Sequence, residues 1–194
     1  DGVGYIFGNN NDEVIVEVKE QTGSWEDIGN PTGQVNHDVF SVYLDHGETP
    51  NKKNYSYIVV PGIKQKKLET YYDELPVEII ANNEKVQAVI HKNLDIIQSS
   101  FFQANKLHVG EIKLRVGSPA AVMLKKHEEN IEITVSDPKQ SLSELNLDLN
   151  INLEGDNAKE LNHEIYKTRI VFQLPTELQA GNSVTKSYKI SRID

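Results

Sequence analysis

The sequence predicts an all-β protein, and three observations carry that reading. Apolar residues alternate with polar ones over short runs along most of the chain, the period of a strand with one buried face. Clusters of Gly, Pro, Asn and Asp interrupt those runs at roughly 8 to 12 residues, the spacing of a β-sandwich. One stretch alone, between Pro61 and Pro76, spaces its apolar residues three to four apart.

Taken in order, residues 13–19 place Val14, Val16 and Val18 on one face and Ile15 among charges on the other, which predicts a strand. Residues 23–33 are dense in Gly, Asn and Pro and predict a long loop. Strands resume at 39–45 and 55–60, where Pro61-Gly62 ends the third. Leu68, Tyr71, Tyr72 and Leu75 follow Lys64, Lys66 and Lys67 and predict one short helix within 63–75. Eight further strands are expected at 77–82, 86–91, 96–102, 107–116, 120–126, 129–137, 145–153 and 168–174. Residues 156–163 have some helical potential.

The helix and Pro76 suggest a boundary, giving domains 1–75 and 76–194. Charge divides there too: the first part holds 6 basic and 13 acidic side chains, net −7, and the second 14 and 16, net −2. With 38% apolar residues the chain can bury a core, but no run approaches the about 18 apolar residues of a membrane-spanning helix. The net charge of −9 argues against a nucleic-acid binder, which needs a basic footprint. The absence of cysteine removes disulfide scaffolds, thiol nucleophiles and zinc knuckles. No signal-peptide pattern or initiating Met opens the chain, which reads as a mature product or an excised piece.

Asp45-His46-Gly47-Glu48-Thr49-Pro50 leads through Asn54-Tyr55-Ser56-Tyr57 to Pro61. This segment resembles the HGxxPxxxxYxYxxxP signature of polysaccharide lyase family 8, the chondroitin AC, hyaluronate and xanthan lyases. Val3-Gly4-Tyr5-Ile6-Phe7 is similar to the family's GYYF strand. The likeness continues through Ala81-Asn82, Val86-Gln87-Ala88-Val89, Leu107, Gly110, Ile112 and Pro119 to Leu124, and fades beyond about Pro138. It is closest to the chondroitin AC lyase branch.

The resemblance implies that 1–75 is the C-terminal end of a large antiparallel β-sandwich, the central lyase domain, and that 76–194 is a smaller C-terminal β-sandwich. It implies a partner upstream in the same protein, an α/α toroid, and an acidic polysaccharide such as chondroitin, dermatan or hyaluronan. A secreted or periplasmic bacterial location follows from the same likeness. No nucleic acid, membrane, metal or cofactor is expected. The family cleaves uronic-acid polymers by β-elimination with Asn, His, Tyr and Arg on the toroid and a Glu from the early central domain. Those segments do not match here, so no catalytic residue is assigned. The expected role is non-catalytic, bracing the toroid and helping to wall its cleft. The alternative is a free-standing carbohydrate-binding or adhesion module.

Residues that invite chemistry have plainer readings beside the functional one. His46 and Tyr43 could in principle neutralise and deprotonate, but a turn His beside Gly47 suits a structural bond. Tyr55 and Tyr57 share a strand face and suit packing, with sugar stacking as the alternative. Trp25 stands in a polar loop where an indole can stack on a sugar or plug a sandwich end, and it is the one carbohydrate-binding candidate. His91, His108 and His163 lack the paired spacing of a metal site. Asp12-Glu13 and Glu128-Glu129 read as solvated turns. Lys125-Lys126-His127 and the Lys64 to Lys67 group could attract a polyanion but suit solvated edges. Asn54-Tyr55-Ser56 matches a glycosylation sequon by a pattern common by chance.

Overall fold

The computed structural model describes residues 2–8, 13–29 and 33–191. The chain divides into two compact units, Asp1–Asp73 and Glu74–Asp194. Among the described residues strand occupies 55% and helix 10%, as the alternation predicts.

In the first unit, β1 (Val3–Phe7) and β2 (Glu13–Ser24) precede β3 (Gln34–Asp45), β4 (Tyr57–Pro61) and α1 (Gln65–Asp73). Strands β1 and β4 form an antiparallel pair from Val3↔Pro61 to Phe7↔Tyr57. Gly4 is required by close approach: a Cβ there would lie 2.6 Å from Leu68 Cδ1 and 2.8 Å from Ile63 Cγ2, so its absence lets α1 rest on β1. The helix begins and ends two residues inside the predicted span.

Strands β2 and β3 form a hairpin paired without a break from Glu13↔Asp45 to Ser24↔Gln34. The strand thus runs five residues past its predicted end, because cross-strand pairing carries the polar Glu20-Gln21-Thr22 segment that apolar alternation does not mark. Of the predicted loop 23–33, a 3-10 turn, Trp25–Ile28, and Gly29 are described next, while Asn30-Pro31-Thr32, like Asp12, lies outside the described residues. Val14, Val16 and Val18 pair with Leu44, Val42 and Phe40 to make one apolar face. Within this unit that face is open, with Val16 62% and Val18 65% exposed.

The second unit holds β5 (Val77–Asn82), β6 (Val86–His91), β7 (Ile96–Phe101), β8 (Asn105–Val109), β9 (Ile112–Val116) and β10 (Ala120–Lys126). After them come β11 (Asn130–Ser136), β12 (Glu144–Leu149), β13 (Leu153–Glu154), β14 (Ala158–Glu160), β15 (Thr168–Gln173) and β16 (Val184–Ile190). They make a seven-stranded sheet, β13-β16-β11-β10-β7-β6-β5, and a five-stranded sheet, β14-β15-β12-β9-β8. The chain changes sheet repeatedly, and both inner faces feed one core with Leu114, Leu124, Ile131, Ile133, Leu147 and Phe172 at its centre.

Four differences from the sequence reading have physical causes. The run 107–116 is two strands, because Gly110 takes φ +57 and Gly110-Glu111 closes a hairpin between Val109 and Ile112. The run 145–153 is also divided, into β12 and β13, which belong to different sheets. Residues 156–163 contain strand β14 rather than helix, since Ala158–Glu160 pairs along β15. Strand β16 was not expected, for Thr185, Lys186, Ser187 and Lys189 dilute its alternation around Tyr188.

Buried polar groups in this unit are mostly paired. Thr168 Oγ1 donates to the Ile151 carbonyl at 2.8 Å and accepts the Leu153 N–H at 3.0 Å. Asp137 fixes the exit from β11 by accepting N–H bonds from Lys139, Ser141 and Leu142 at 2.7 to 2.9 Å. Burial alone raises the Asp137 carboxyl, but the donors at Ser141, Leu142 and Lys139 outweigh it and hold the group below its ordinary value.

Candidate functional site

The signature segment builds a row of rings in the first unit. Asp45 closes β3, and its Oδ1 accepts the Gly47 N–H at 2.8 Å, an Asx turn. Gly47 takes φ +76, a conformation costly for a side chain. Past this turn the His46 ring lies 5.9 Å from Tyr55, which stacks on Tyr57 at 6.3 Å and 13°. Tyr57 in turn stands 6.2 Å from Phe7, its register partner across β1 and β4. The Asp45 carboxylate thus supplies a bond that sets the turn beside Gly47, and the His46 ring joins the row. Tyr55 and Tyr57 are half-exposed within this unit, so the row offers one open aromatic face.

Trp25 stands at the tip of the β2–β3 hairpin. Ser24 Oγ accepts the Glu26 N–H at 3.2 Å, and Gly29 ends the turn at φ +83. Trp25 is half-exposed and its neighbours Glu26 and Asp27 are acidic. Trp25 and the ring row occupy different elements of the unit.

The remaining candidates are dispersed. His91 ends β6 with a buried Nδ1, His108 lies on β8 opposite Lys113, and His163 Nδ1 accepts the N–H groups of Ile165 and Tyr166 at 3.0 and 3.2 Å. Glu128-Glu129 caps the β10–β11 hairpin, where the His127 N–H meets the Asn130 carbonyl at 2.8 Å beside Lys126. Among the described residues no three His, Cys, Asp or Glu side chains converge on a metal-sized site.

One constellation escaped the linear reading. On the outer face of the five-stranded sheet, Asp148 is only 3% exposed and lies between two guanidiniums. Arg115 donates to Asp148 Oδ2 from Nε at 2.9 Å and from Nη2 at 2.5 Å. Arg169 donates from Nε to Oδ1 at 2.7 Å and from Nη2 to Oδ2 at 3.0 Å. Burial pushes the Asp148 carboxyl up, but the bonds from Arg169 and Arg115 prevail and its pKa falls below the usual value. Arg115 also lies over the Tyr166 ring, 4.5 Å from its centroid.

These features define a two-part β protein with a row of rings in its first unit and a charged network on a sheet of its second. Residues 1–72 match the super-sandwich domain of polysaccharide lyase family 8, and residues 78–146 match that family's C-terminal β-sandwich domain. The chain belongs to polysaccharide lyase family 8. It is 34% identical over 143 residues to a chondroitinase-AC of Pedobacter heparinus, covering 72% of this chain and 20% of that protein. It is 32% identical over 141 residues to a hyaluronate lyase of Thermasporomyces composti, covering 71% and 17%. A solved chondroitinase AC lyase superposes with a TM-score of 0.77 at 29% identity over 96% of this chain and 26% of its own. A Paenibacillus xanthan lyase shares the fold at a TM-score of 0.77 and 21% identity, over 98% and 19%. The chain therefore spans about a fifth of the length of the relatives it matches.

Proposed function

We propose that this chain is the non-catalytic β portion of a secreted or periplasmic bacterial lyase that cleaves acidic polysaccharides, chondroitin, dermatan or hyaluronan, by β-elimination. Its role is to brace an α/α toroid of the same protein and to help wall the cleft. The observation that carries this reading is the open apolar face of the β2–β3 hairpin, together with the half-exposed ring row. A two-stranded ribbon with Val16, Val18 and Phe40 more than half exposed is a surface shaped for more sheet. Trp25, at the hairpin tip, is the residue of this unit we assign to sugar contact.

Elimination from a uronate requires donors to offset the carboxylate, a base for the C5 proton and an acid for the leaving oxygen. A single such donor is worth on the order of 10² to 10³ in rate. In the first unit the ring row offers His46 and tyrosines but no arginine, and its net charge repels a polyanion. The isolated chain should give no rise in unsaturated-uronate absorbance on chondroitin, dermatan or hyaluronan. Joined to an upstream helical domain it should become active, with His46→Ala lowering the melting temperature and sparing turnover. A lyase rate from the 194 residues alone, or a fully folded but dead His46→Ala lyase, contradicts this reading.

A further inference from the structure

The Arg115–Asp148–Arg169 network is the middle of a longer row. Register places Lys159 opposite Arg169, Arg169 opposite Asp148, Asp148 opposite Arg115 and Arg115 opposite Lys106. One residue from each strand thus lines up across the whole sheet, a span of about 19 Å at ~4.8 Å per strand. The row lies on the outer face, since the residues alternating with it, Leu114, Leu147, Leu149 and Ile170, are fully buried. It carries four cations and one carboxylate, a sum of +3. Residues 74–194 as a whole hold 14 basic and 17 acidic side chains, a sum of −3. The row reverses the sign of the unit that bears it.

From this row we infer a binding site for a sulfated or uronate-bearing polysaccharide on the outer face of the second unit. Three features favour a ligand over a purely structural ion network. By charge one carboxylate offsets one arginine, and here the second arginine and both lysines leave charge over. The bonds to Asp148 use Nε and Nη2 of each guanidinium and fix its orientation, while the side chains keep 37% and 42% of their surface open to an incoming anion. A cleft of about 400 Å³ opens there, with Asn105 and Asn146 beside Lys106, Arg115 and Arg169 to meet sugar hydroxyls.

The chemistry also selects against nucleic acid. The aromatic at the row, Tyr166, is 3% exposed beneath Arg115, so no base can stack on it. The net charge of −3 over the unit opposes a long, uniformly charged polyanion, while a polysaccharide places separate carboxylate and sulfate groups among neutral hydroxyls. The choice of glycan rests on the proposed lyase role, but the site's existence does not: binding is read without any lyase assay.

The test titrates the full chain with chondroitin sulfate oligosaccharides by calorimetry at low and physiological salt. Lys106→Gln/Lys159→Gln removes two exposed cations and leaves the Asp148 network whole. It should weaken binding about tenfold, the loss expected for two exposed charge contacts. Arg115→Gln should weaken it further, and added salt should weaken the wild-type more than the double variant. Absence of wild-type binding, undiminished binding by the lysine variant, or equal affinity for double-stranded DNA would each overturn the assignment. Loss of binding in Trp25→Ala but not in the lysine variant overturns it as well, and moves the glycan to the first unit.

Discussion

The two units use the same alternation to opposite ends. Among the described residues Ile6 is the one apolar side chain buried in the first unit, whereas the buried set from Val86 to Tyr188 lies wholly in the second. The first unit consists of two separate two-stranded ribbons and one short helix, and the second of seven and five strands closed on a common core. Val16 and Leu147 stand at equivalent points of an apolar alternation, yet Val16 is 62% exposed and Leu147 is fully buried. Alternation states which face of a strand seeks cover, and only the partner sheet supplies it.

That contrast is broken most directly by cutting the chain. Residues 76–194 should fold cooperatively by themselves, as expected near the usual domain size, while 1–75 should stay largely unfolded, because isolated two-stranded ribbons are marginal in water. Calorimetry or denaturant titration of the two pieces decides it. A cooperative transition from 1–75 would mean that its exposed faces find enough cover within the unit.

Point substitutions sharpen the comparison. In the whole chain Leu147→Ala should cost about 2 to 5 kcal/mol, as a buried leucine truncated within a packed core does. Val16→Ala should fall within about 0.5 kcal/mol of the parent, as at an exposed site. Urea midpoints of the two variants give both numbers. If Val16→Ala becomes costly once the chain is joined to an upstream domain, the hairpin face is covered there.

Much of the strand pattern was legible in the sequence, and the failures are instructive. Single-strand alternation sufficed for β5, β6, β7, β10 and β15, each with a strong apolar run bounded by turn residues. The hairpin between β8 and β9 was marked by a phase change, since Leu107 and Val109 occupy odd positions and Ile112, Leu114 and Val116 even ones. Strand β16 was hidden because its exposed lysines and threonine belong to an outer face, leaving Tyr188 as its one fully buried anchor. The charged row was least legible. Lys106, Arg115, Asp148, Lys159 and Arg169 each occupy the outward position of a different strand, and only the order β14-β15-β12-β9-β8 brings them together. No spacing in the chain encodes that order.

The smallest expected effect lies at the centre of the second unit. Tyr188 is 1% exposed, meets Phe172 edge-on at 6.4 Å, and has a buried hydroxyl without a hydrogen-bond partner. Its ring fits because Gly155 lacks a Cβ, which would stand 2.7 Å from Tyr188 Cδ1. Burial, helped by the charge of Asp156, pushes the phenol up to about 12. An unfolded chain releases this proton near pH 10. Below that value both states keep it and Tyr188 adds no pH dependence; from about 10 to about 12 the unfolded state ionises first and stability falls. Tyr188→Phe removes an unsatisfied polar atom, so it should leave neutral stability unchanged or raise it by up to about 1 kcal/mol. It should also flatten the alkaline decline, with the difference between variant and parent widening above pH 10. Urea midpoints near neutrality and in the alkaline range, read on the second unit's transition, test both. A substantial loss at neutral pH, or an alkaline slope identical to the parent's, would show that the hydroxyl is satisfied and that this core is as well paired at Tyr188 as at Thr168.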